Sequence, residues 1–191
     1  RSAIMAAIIG WLGSGIYLIN HAYISTKKYW NSKVYYTGNL LAALILVTSS
    51  LLISSYQAVV INSFWAIISV MLLMRLDVAK IPISKRVFYF GFIIILSYSL
   101  YAGIEHGCQS ADFFTRIGWS SSYVFCLSYL LFCSDKMNKV KYLLFNFYAA
   151  TALLPILWTQ QNWPVFTLEV CWALISLYGV YTRVEDIHLI D

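Results

Sequence analysis

Seven long apolar runs, separated only by short polar connections, constrain what this chain can fold into more than any other feature. They cover residues 5–25, 34–55, 57–75, 87–104, 113–133, 142–159 and 164–182. A helix that crosses a bilayer core about 30 Å thick needs about 20 mostly apolar residues. Backbone groups in lipid must be hydrogen-bonded within their own segment, which favours helices. The sequence therefore predicts an all-α integral membrane protein with seven transmembrane helices.

The low content of charged residues indicates that the chain has the lipid bilayer as its partner. Only 11% of the 191 residues are charged and 61% are hydrophobic, whereas soluble domains carry about 25% charged residues. A soluble fold of this size could not cover its surface with so few charges. The net charge of +5 does not indicate nucleic acid as a partner, because the basic residues lie in loops between apolar runs, where they set membrane topology.

Those basic residues also predict the orientation of the chain. With the N-terminus outside, eleven of the thirteen lysines and arginines fall on the cytoplasmic side. They are Lys27, Lys28, Lys33, Arg75, Lys80, Lys85, Arg86, Lys136, Lys139, Lys141 and Arg183. Positive residues concentrate on the cytoplasmic side of membrane proteins, so the N-terminus is predicted outside and the C-terminus in the cytoplasm. The sequence holds no N-x-S/T site, which fits a bacterial inner membrane.

An internal repeat divides the chain into two similar halves. Four stretches recur in the same order at an offset of 107 or 108 residues. They are Ile9-Gly10-Trp11 with Ile117-Gly118-Trp119, Lys28 with Lys136, Tyr35-x-x-x-Asn39-x-x-Ala42-Ala43 with Tyr142-x-x-x-Asn146-x-x-Ala149-Ala150, and Phe64-Trp65-Ala66-Ile67-Ile68-Ser69 with Cys171-Trp172-Ala173-Leu174-Ile175-Ser176. Because a three-helix unit ends on the side opposite its start, the fourth helix returns the chain and makes the two units parallel. We predict a first unit over residues 1–80, a linker with helix four over 81–108 and a second unit over 109–191.

This 3-1-3 plan with an outside N-terminus resembles the SWEET sugar facilitators, and each unit resembles their bacterial SemiSWEET halves. The Pro-Gln pair that ends the first helix of those units is absent, since the chain reads Ile19-Asn20-His21-Ala22 and Leu127-Ser128-Tyr129 there. At residue level the chain is similar to a family of small, uncharacterised bacterial three-helix membrane domains, through Gly10-Trp11, Lys27-Lys28 and Asn62-Ser63-Phe64-Trp65. The SWEET resemblance implies that an Asn on the third helix of each unit contacts substrate. In the first unit this is Asn62, and in the second unit Glu169 takes the matching position in place of an Asn.

Glu169 is the only carboxylate inside the predicted apolar runs, and charged groups in a span are costly. A spacing of i, i+3 and i+7 places it on one helix face with two further candidates, and the repeat supplies a matching trio. The predicted substrate-binding residues are Asn62, Trp65, Ser69, Glu169, Trp172 and Ser176. If the units face each other, these stripes line a central cavity whose two Trp walls suit sugar rings or planar solutes.

Helix packing is the alternative explanation of the same faces, because small and polar residues also join transmembrane helices. On that alternative Glu169 pairs with Arg116. The other polar candidates, as a gate or as structural groups, are Asn20, His21, Asn39, Asn146 and Arg116. We expect the two asparagines of helices two and six to bond within their units, His21 to be interfacial and partly hydrated, and Gly10, Gly13 and Gly15 to permit close helix contact.

Two functions remain open from the sequence. The first is a facilitative transporter for a small polar solute such as a sugar, and the second is a non-transporting structural or accessory membrane protein. An enzyme is not expected, because the chain shows no nucleophile–base pair, phosphate loop or dinucleotide motif. No cofactor or metal is expected either, since the polar loop Glu105–Asp112 lacks a recognised ligand spacing and favours a solvated loop over a metal site. Homo-oligomer formation stays open.

Overall fold

The computed structural model describes the backbone of residues 2–188 and the side chains of residues 2–183. This part of the chain forms seven α-helices and one short 3-10 helix, and it contains no strand. The helices are α1 (Ser2–Thr26), α2 (Ser32–Leu52), α3 (Tyr56–Leu73), α4 (Lys85–His106), α5 (Ala111–Cys133), α6 (Lys139–Thr159) and α7 (Trp163–His188), and the 3-10 helix is Val78–Lys80. The all-helical prediction is confirmed, and each predicted run corresponds to one α-helix.

Matching asparagines start the second helix of each unit. Asn31 accepts a hydrogen bond from the backbone N of Val34 at 3.1 Å, and Asn138 accepts one from that of Lys141 at 2.8 Å. An N-cap side chain of this kind satisfies one of the amide groups that a helix start leaves free. Serines take the same role before α4 and α5.

The second helix of each unit also ends in the same way. Ser54 and Gln161 adopt left-handed backbone conformations, with φ of 57° and 54°. The amide of Ser55 then donates to the carbonyl of Ser50 at 2.9 Å, and that of Asn162 to the carbonyl of Leu157 at 3.0 Å. These are the six-to-one bonds of a Schellman motif, which reverses the chain tightly. The repeat therefore extends from side chains to the backbone of its turns.

Six of the helices are long and apolar enough to cross a membrane, and α5 is the helix that is not among them. Several of its serines are buried against other helices, so its polarity faces protein rather than lipid. Its 23 residues span about 34 Å. Because only residues 107–110 and 134–138 separate α5 from α4 and α6, it must return across the thickness that its neighbours cross.

The seven helices form two parallel three-helix units with α4 on the outside. Within the units, α1 packs on α2 and α2 on α3, just as α5 packs on α6 and α6 on α7. The units meet through α1 with α7 and through α3 with α5, and α4 packs on α5. If the two units are exchanged, the contact of α1 with α7 becomes the contact of α5 with α3, and the reverse. This is the arrangement that a pseudo-two-fold axis along the membrane normal produces.

The glycine of each Gly-Trp pair lies where this arrangement brings three helices together. A Cβ on Gly10 would lie 2.8 Å from Ser49 Oγ and 3.0 Å from the Pro164 ring. A Cβ on Gly118 would lie 2.9 Å from Ile156 Cγ2, and Ile156 is the repeat counterpart of Ser49. Both glycines thus permit close helix approach, which was predicted for Gly10.

The other two glycines of α1 differ from each other. A Cβ on Gly13 would lie 2.9 Å from both Ile45 and Leu46, so its predicted role in close contact is confirmed. The same prediction is wrong for Gly15, which is exposed and would meet no atom within 4 Å. The reason is that Gly15 lies on the side of α1 that points away from the bundle.

Candidate functional site

Four aromatic rings meet at the pseudo-two-fold axis. The rings of Trp65 and Trp172 lie edge to face, with centroids 5.6 Å apart and planes at 66°. Tyr17 packs against both at 5.8 Å, and its repeat counterpart Phe125 does so at 6.3 and 6.1 Å. The two Trp rings therefore contact each other in this conformation and do not wall an open space.

Each of the two Trp side chains is held by a hydrogen bond and a stacked ring. Trp65 Nε1 donates to the carbonyl of Phe125 at 3.1 Å, and its ring stacks on Tyr129 at 4.1 Å. Trp172 Nε1 donates to Asn146 Oδ1 at 2.9 Å, and its ring stacks on His21 at 3.7 Å. His21 and Tyr129 are repeat counterparts, so each unit's first helix supplies one ring to the Trp of the other unit.

A small cavity adjoins this aromatic cluster on the side of the bundle where α1 begins, which we call the outer end after the predicted orientation. Its volume is about 20 Å³, room for little more than one water. Four of the predicted site residues line it, and they are Asn62, Trp65, Glu169 and Trp172. Tyr17 and Phe125 line it as well, with apolar residues of α3, α6 and α7 around them.

Two buried oxygen atoms of the cavity lining are unsatisfied. Tyr17 is 3% exposed and Glu169 is 6% exposed, yet Tyr17 OH and Glu169 Oε2 have no hydrogen-bond partner among the residues that the structure describes. Asn62, the counterpart of Glu169, donates to the carbonyl of Ala58 at 2.8 Å. A buried polar group without a partner costs about 1–3 kcal/mol, and more when it is charged. The cavity therefore has a polar wall with unused capacity to bind.

The two predicted serines lie outside the cavity lining, toward the inner end of the bundle. Ser69 Oγ hydrogen-bonds Tyr129 OH at 2.8 Å, and Ser176 Oγ hydrogen-bonds His21 Nε2 at 2.9 Å. Each bond joins the third helix of one unit to the first helix of the other. These contacts connect the units beneath the Trp pair.

His21 itself corrects a prediction. It is 1% exposed, so the expected interfacial and partly hydrated position is wrong. The physical reason is that α1 continues to Thr26, which places His21 more than one turn inside the helix, and α7 covers the ring with Trp172. Asn20 beside it is also buried and donates to the carbonyl of Tyr35 at 2.9 Å.

Amide and hydroxyl side chains close the bundle at its outer end. Three side-chain hydrogen bonds join the α2–α3 turn and the first turn of α3 to the α6–α7 turn. Ser55 Oγ donates to Gln160 Oε1 at 2.7 Å, and Gln160 Nε2 donates to Gln57 Oε1 at 3.0 Å. Asn162 Nδ2 donates to Ser55 Oγ at 3.1 Å. The two turns with left-handed residues thus hold each other across the unit interface.

A second closure lies at the inner end. The hydroxyls of Tyr35 and Tyr142, which are repeat counterparts, meet at 3.3 Å. Asn39 Nδ2 donates to Tyr129 OH at 3.3 Å, and Asn39 Oδ1 accepts from Asn20 at 2.7 Å. Asn39 therefore bonds both within its unit and across the interface. The cavity lies between two layers of hydrogen bonds that cross from unit to unit.

Asn146 meets the expectation of a bond within its own unit. Its amide donates to the carbonyl of Tyr142 at 2.6 Å and its oxygen accepts from Trp172, both in the second unit.

Arg116 does not pair with Glu169, contrary to the packing alternative. Its guanidinium forms an ion pair with Asp112 at 3.1 Å, donates to the carbonyl of Tyr98 and stacks on the Tyr98 ring at 4.0 Å. The reason is that Arg116 lies on the face of α5 that packs against α4. The neighbouring Glu105 and His106 are about half exposed, and residues 2–183 contain no group of three side chains suited to a metal ion.

Sequence reasoning missed Tyr17 and Phe125, although a signal was present. Each lies seven residues after the glycine of a Gly-Trp pair, and positions i and i+7 share a helix face. Since Gly10 was expected to make close helix contacts and Gly118 is its repeat counterpart, the rings two turns further on belong to the same inter-unit seam.

Comparisons with known proteins place the chain in a family. No curated protein and no solved structure matches it. The model of one protein family matches it twice, over residues 6–80 and again over residues 114–186. The two matches cover the three-helix units α1–α3 and α5–α7 and leave out α4, as the repeat predicted. The chain thus belongs to this uncharacterised family, whose unit it carries twice as a multi-pass helical membrane protein.

Proposed function

We propose that this protein is a facilitative transporter for a small polar solute, which crosses the membrane along the interface between the two units. One observation carries the proposal. Oxygen atoms of Tyr17 and Glu169 that have no partner among the described residues line a cavity on the pseudo-two-fold axis, whose wall apart from Asn62 is otherwise aromatic and apolar. A seam selected for packing alone gains nothing from a buried carboxylate, which costs free energy unless a partner satisfies it.

The two closures supply a means of alternating access. At the outer end these are the three hydrogen bonds between the two helix turns, and at the inner end they are the Tyr35–Tyr142 and Asn39–Tyr129 contacts. Both closures include hydrogen bonds between the units, and one such bond contributes about 1 kcal/mol. Rocking one unit against the other opens one end while the other stays closed. The conformation described here is closed at both ends.

The SWEET-like plan supports the same function, because those facilitators also place substrate between two parallel units. A sugar would require the Trp65 and Trp172 rings to separate, since the present cavity volume of about 20 Å³ is far below the roughly 300 Å³ of common ligand pockets. The solute that fits this closed conformation is therefore much smaller than a sugar ring. The predicted setting is a bacterial inner membrane, with the N-terminus outside.

Uptake into proteoliposomes tests the proposal. The purified chain is reconstituted and screened with small polar solutes, neutral and charged, beside Asn62→Ala and Glu169→Gln. We expect time-dependent uptake by the unmodified protein and a loss of at least about tenfold in Glu169→Gln, which removes the charge and keeps the shape. Glu105→Gln is the matched control, because Glu105 is an exposed carboxylate outside the seam. Uptake that neither cavity substitution changes would reject this site.

A non-transporting structural protein is the second candidate, and a specific observation favours it. The Trp pair is in contact, and both predicted serines are used in bonds between units. On this alternative the seam only holds the units together. The substitution Glu169→Leu would then raise thermal stability, by removing a buried polar group that has no partner among the described residues, and no solute in the screen would enter the liposomes.

A further inference from the structure

The composition of the cavity wall narrows the solute to a chemical class. Three of its lining residues carry side-chain oxygens, and these are Tyr17, Asn62 and Glu169. Aromatic rings supply much of the remaining wall. Within the part of the chain whose side chains are described, no Lys, Arg or His lines the cavity. The carboxyl of Glu169 has no cationic side chain beside it in this wall, so any charge that it carries there is negative.

Charge balance favours a cation over a neutral solute. An ionised carboxylate buried without a partner is costly, and a bound cation removes that cost by pairing with it. Aromatic rings add to the attraction, because the face of a Trp or Tyr ring attracts a cation within about 6 Å of the ring centre. The rings of Trp65 and Trp172 lie 5.6 Å apart. Together with the rings of Tyr17 and Phe125 they line the cavity.

The type of cation follows from the ligands and from the size. Hard metal ions such as Mg²⁺ and Ca²⁺ take six or more oxygen ligands, whereas this wall offers three oxygen-bearing side chains and is mostly apolar or aromatic. An ammonium group needs only a few hydrogen-bond acceptors and tolerates aromatic neighbours. The cavity volume of about 20 Å³ admits a cation about as large as a water molecule. We infer that the cavity binds a small ammonium cation, either ammonium itself or the –NH₃⁺ group of a methylamine-sized solute.

In this arrangement each polar side chain has a distinct task. The carboxylate of Glu169 accepts a charge-assisted hydrogen bond from the ammonium group, and Tyr17 OH accepts a second. The rings of Trp65 and Trp172 exclude water and contribute cation–π attraction. This inference rests on the proposed function for its physiological meaning, but ligand binding can be measured without transport.

Two measurements on this chain separate the inference from the proposed function. The first is calorimetric titration of the purified protein in detergent with methylammonium chloride, and with methanol as a neutral probe of the same size. The second is uptake of methylammonium into proteoliposomes. We expect saturable binding of methylammonium and none of methanol. Glu169→Gln should weaken the binding by about ten- to a hundredfold, as the loss of a charge-assisted bond does, while Glu105→Gln leaves it unchanged.

A second variant guards against a fold that does not tolerate Gln. Glu169→Asn installs the residue that the first unit carries at the same place, Asn62, so it is compatible with the local packing of a third helix. It should lose methylammonium binding as Glu169→Gln does. A protein that keeps its thermal transition and its methylammonium affinity in both variants would overturn the inference.

The remaining outcomes also decide. Glu169-dependent binding of methylammonium without uptake supports the ligand class and rejects transport. Glu169-dependent uptake of a neutral solute, with no binding of methylammonium, supports transport and rejects the ligand class. The absence of both rejects both.

Discussion

The two units share their packing but differ in the chemistry that they place on it. His21 and Tyr129 occupy matching positions, stack on matching Trp rings and bond matching serines. At the cavity, by contrast, Asn62 of the first unit is satisfied by its own helix, while its counterpart Glu169 carries an unpartnered oxygen. The geometry that the two units share belongs to the seam that joins them. The units differ at the cavity, where a ligand would bind.

The largest effect is expected from removing a Trp ring from the seam. Trp65→Ala and Trp172→Ala each delete a buried indole and leave a cavity, which costs about 3–5 kcal/mol in protein cores. If the two units contribute equally to the seam, the two variants lose similar stability, measured as the shift of the thermal unfolding transition in detergent. Trp158→Ala is the control, because that side chain is 60% exposed and should cost little. A seam in which one Trp is dispensable would break the equivalence of the units.

The next effect concerns the glycines of the two Gly-Trp pairs. Gly10→Ala puts a methyl group against the rigid Pro164 ring and Ser49 Oγ, which is held by a bond to the carbonyl of Ala6 at 2.6 Å. Overpacking costs about 1–3 kcal/mol and outweighs the gain of about 1 kcal/mol from replacing Gly in a helix. Gly118→Ala should cost a similar amount, since Ile156 is β-branched and its Cγ2 is fixed by the one rotamer that a helix favours.

Gly15→Ala completes this series as the matched control. Nothing lies within 4 Å of its added Cβ, so only the helix-propensity gain remains and the thermal transition should rise slightly. A loss of stability in Gly15→Ala comparable to that in Gly10→Ala would show that contact with Pro164 and Ser49 is not the cause.

The sequence predicts the helices and their order, but only part of the candidate site. Repeat matching and apolar runs identify the helices, the parallel units and the helix that joins them, because those depend on composition and order along the chain. Helical spacing predicts which face of α3 carries Trp65 and Ser69, but not their depth relative to the rings of α5. The Ser69 hydroxyl hydrogen-bonds Tyr129, and Ser69 lies outside the cavity lining. The burial of His21 likewise depends on α7, which no local pattern reveals.

A smaller effect distinguishes the two rings that stack on the Trp pair. Tyr129→Phe keeps the ring but removes bonds to Ser69 and Asn39, and we expect a loss of about 1–2 kcal/mol. In the other unit, Ser176→Ala removes the single bond to His21 Nε2 and should cost about 1 kcal/mol. Thermal unfolding of both variants checks the order. Equal losses would mean that the Asn39 bond adds nothing.

The smallest effect comes from the ion pair that the second unit has and the first unit lacks. The counterparts of Asp112 and Arg116 are Ile4 and Ile8, which are 69% and 65% exposed, whereas Arg116 faces α4 and lies on the Tyr98 ring. Asp112→Asn removes an exposed i, i+4 pair, worth about 0.3–0.5 kcal/mol, and leaves the contacts of Arg116 with α4 in place. Arg116→Ala should cost more, because it also removes the cation–π contact. If the two variants shift the thermal transition equally, α4 is not held by Arg116, and the asymmetry between the units at this point is only one of surface charge.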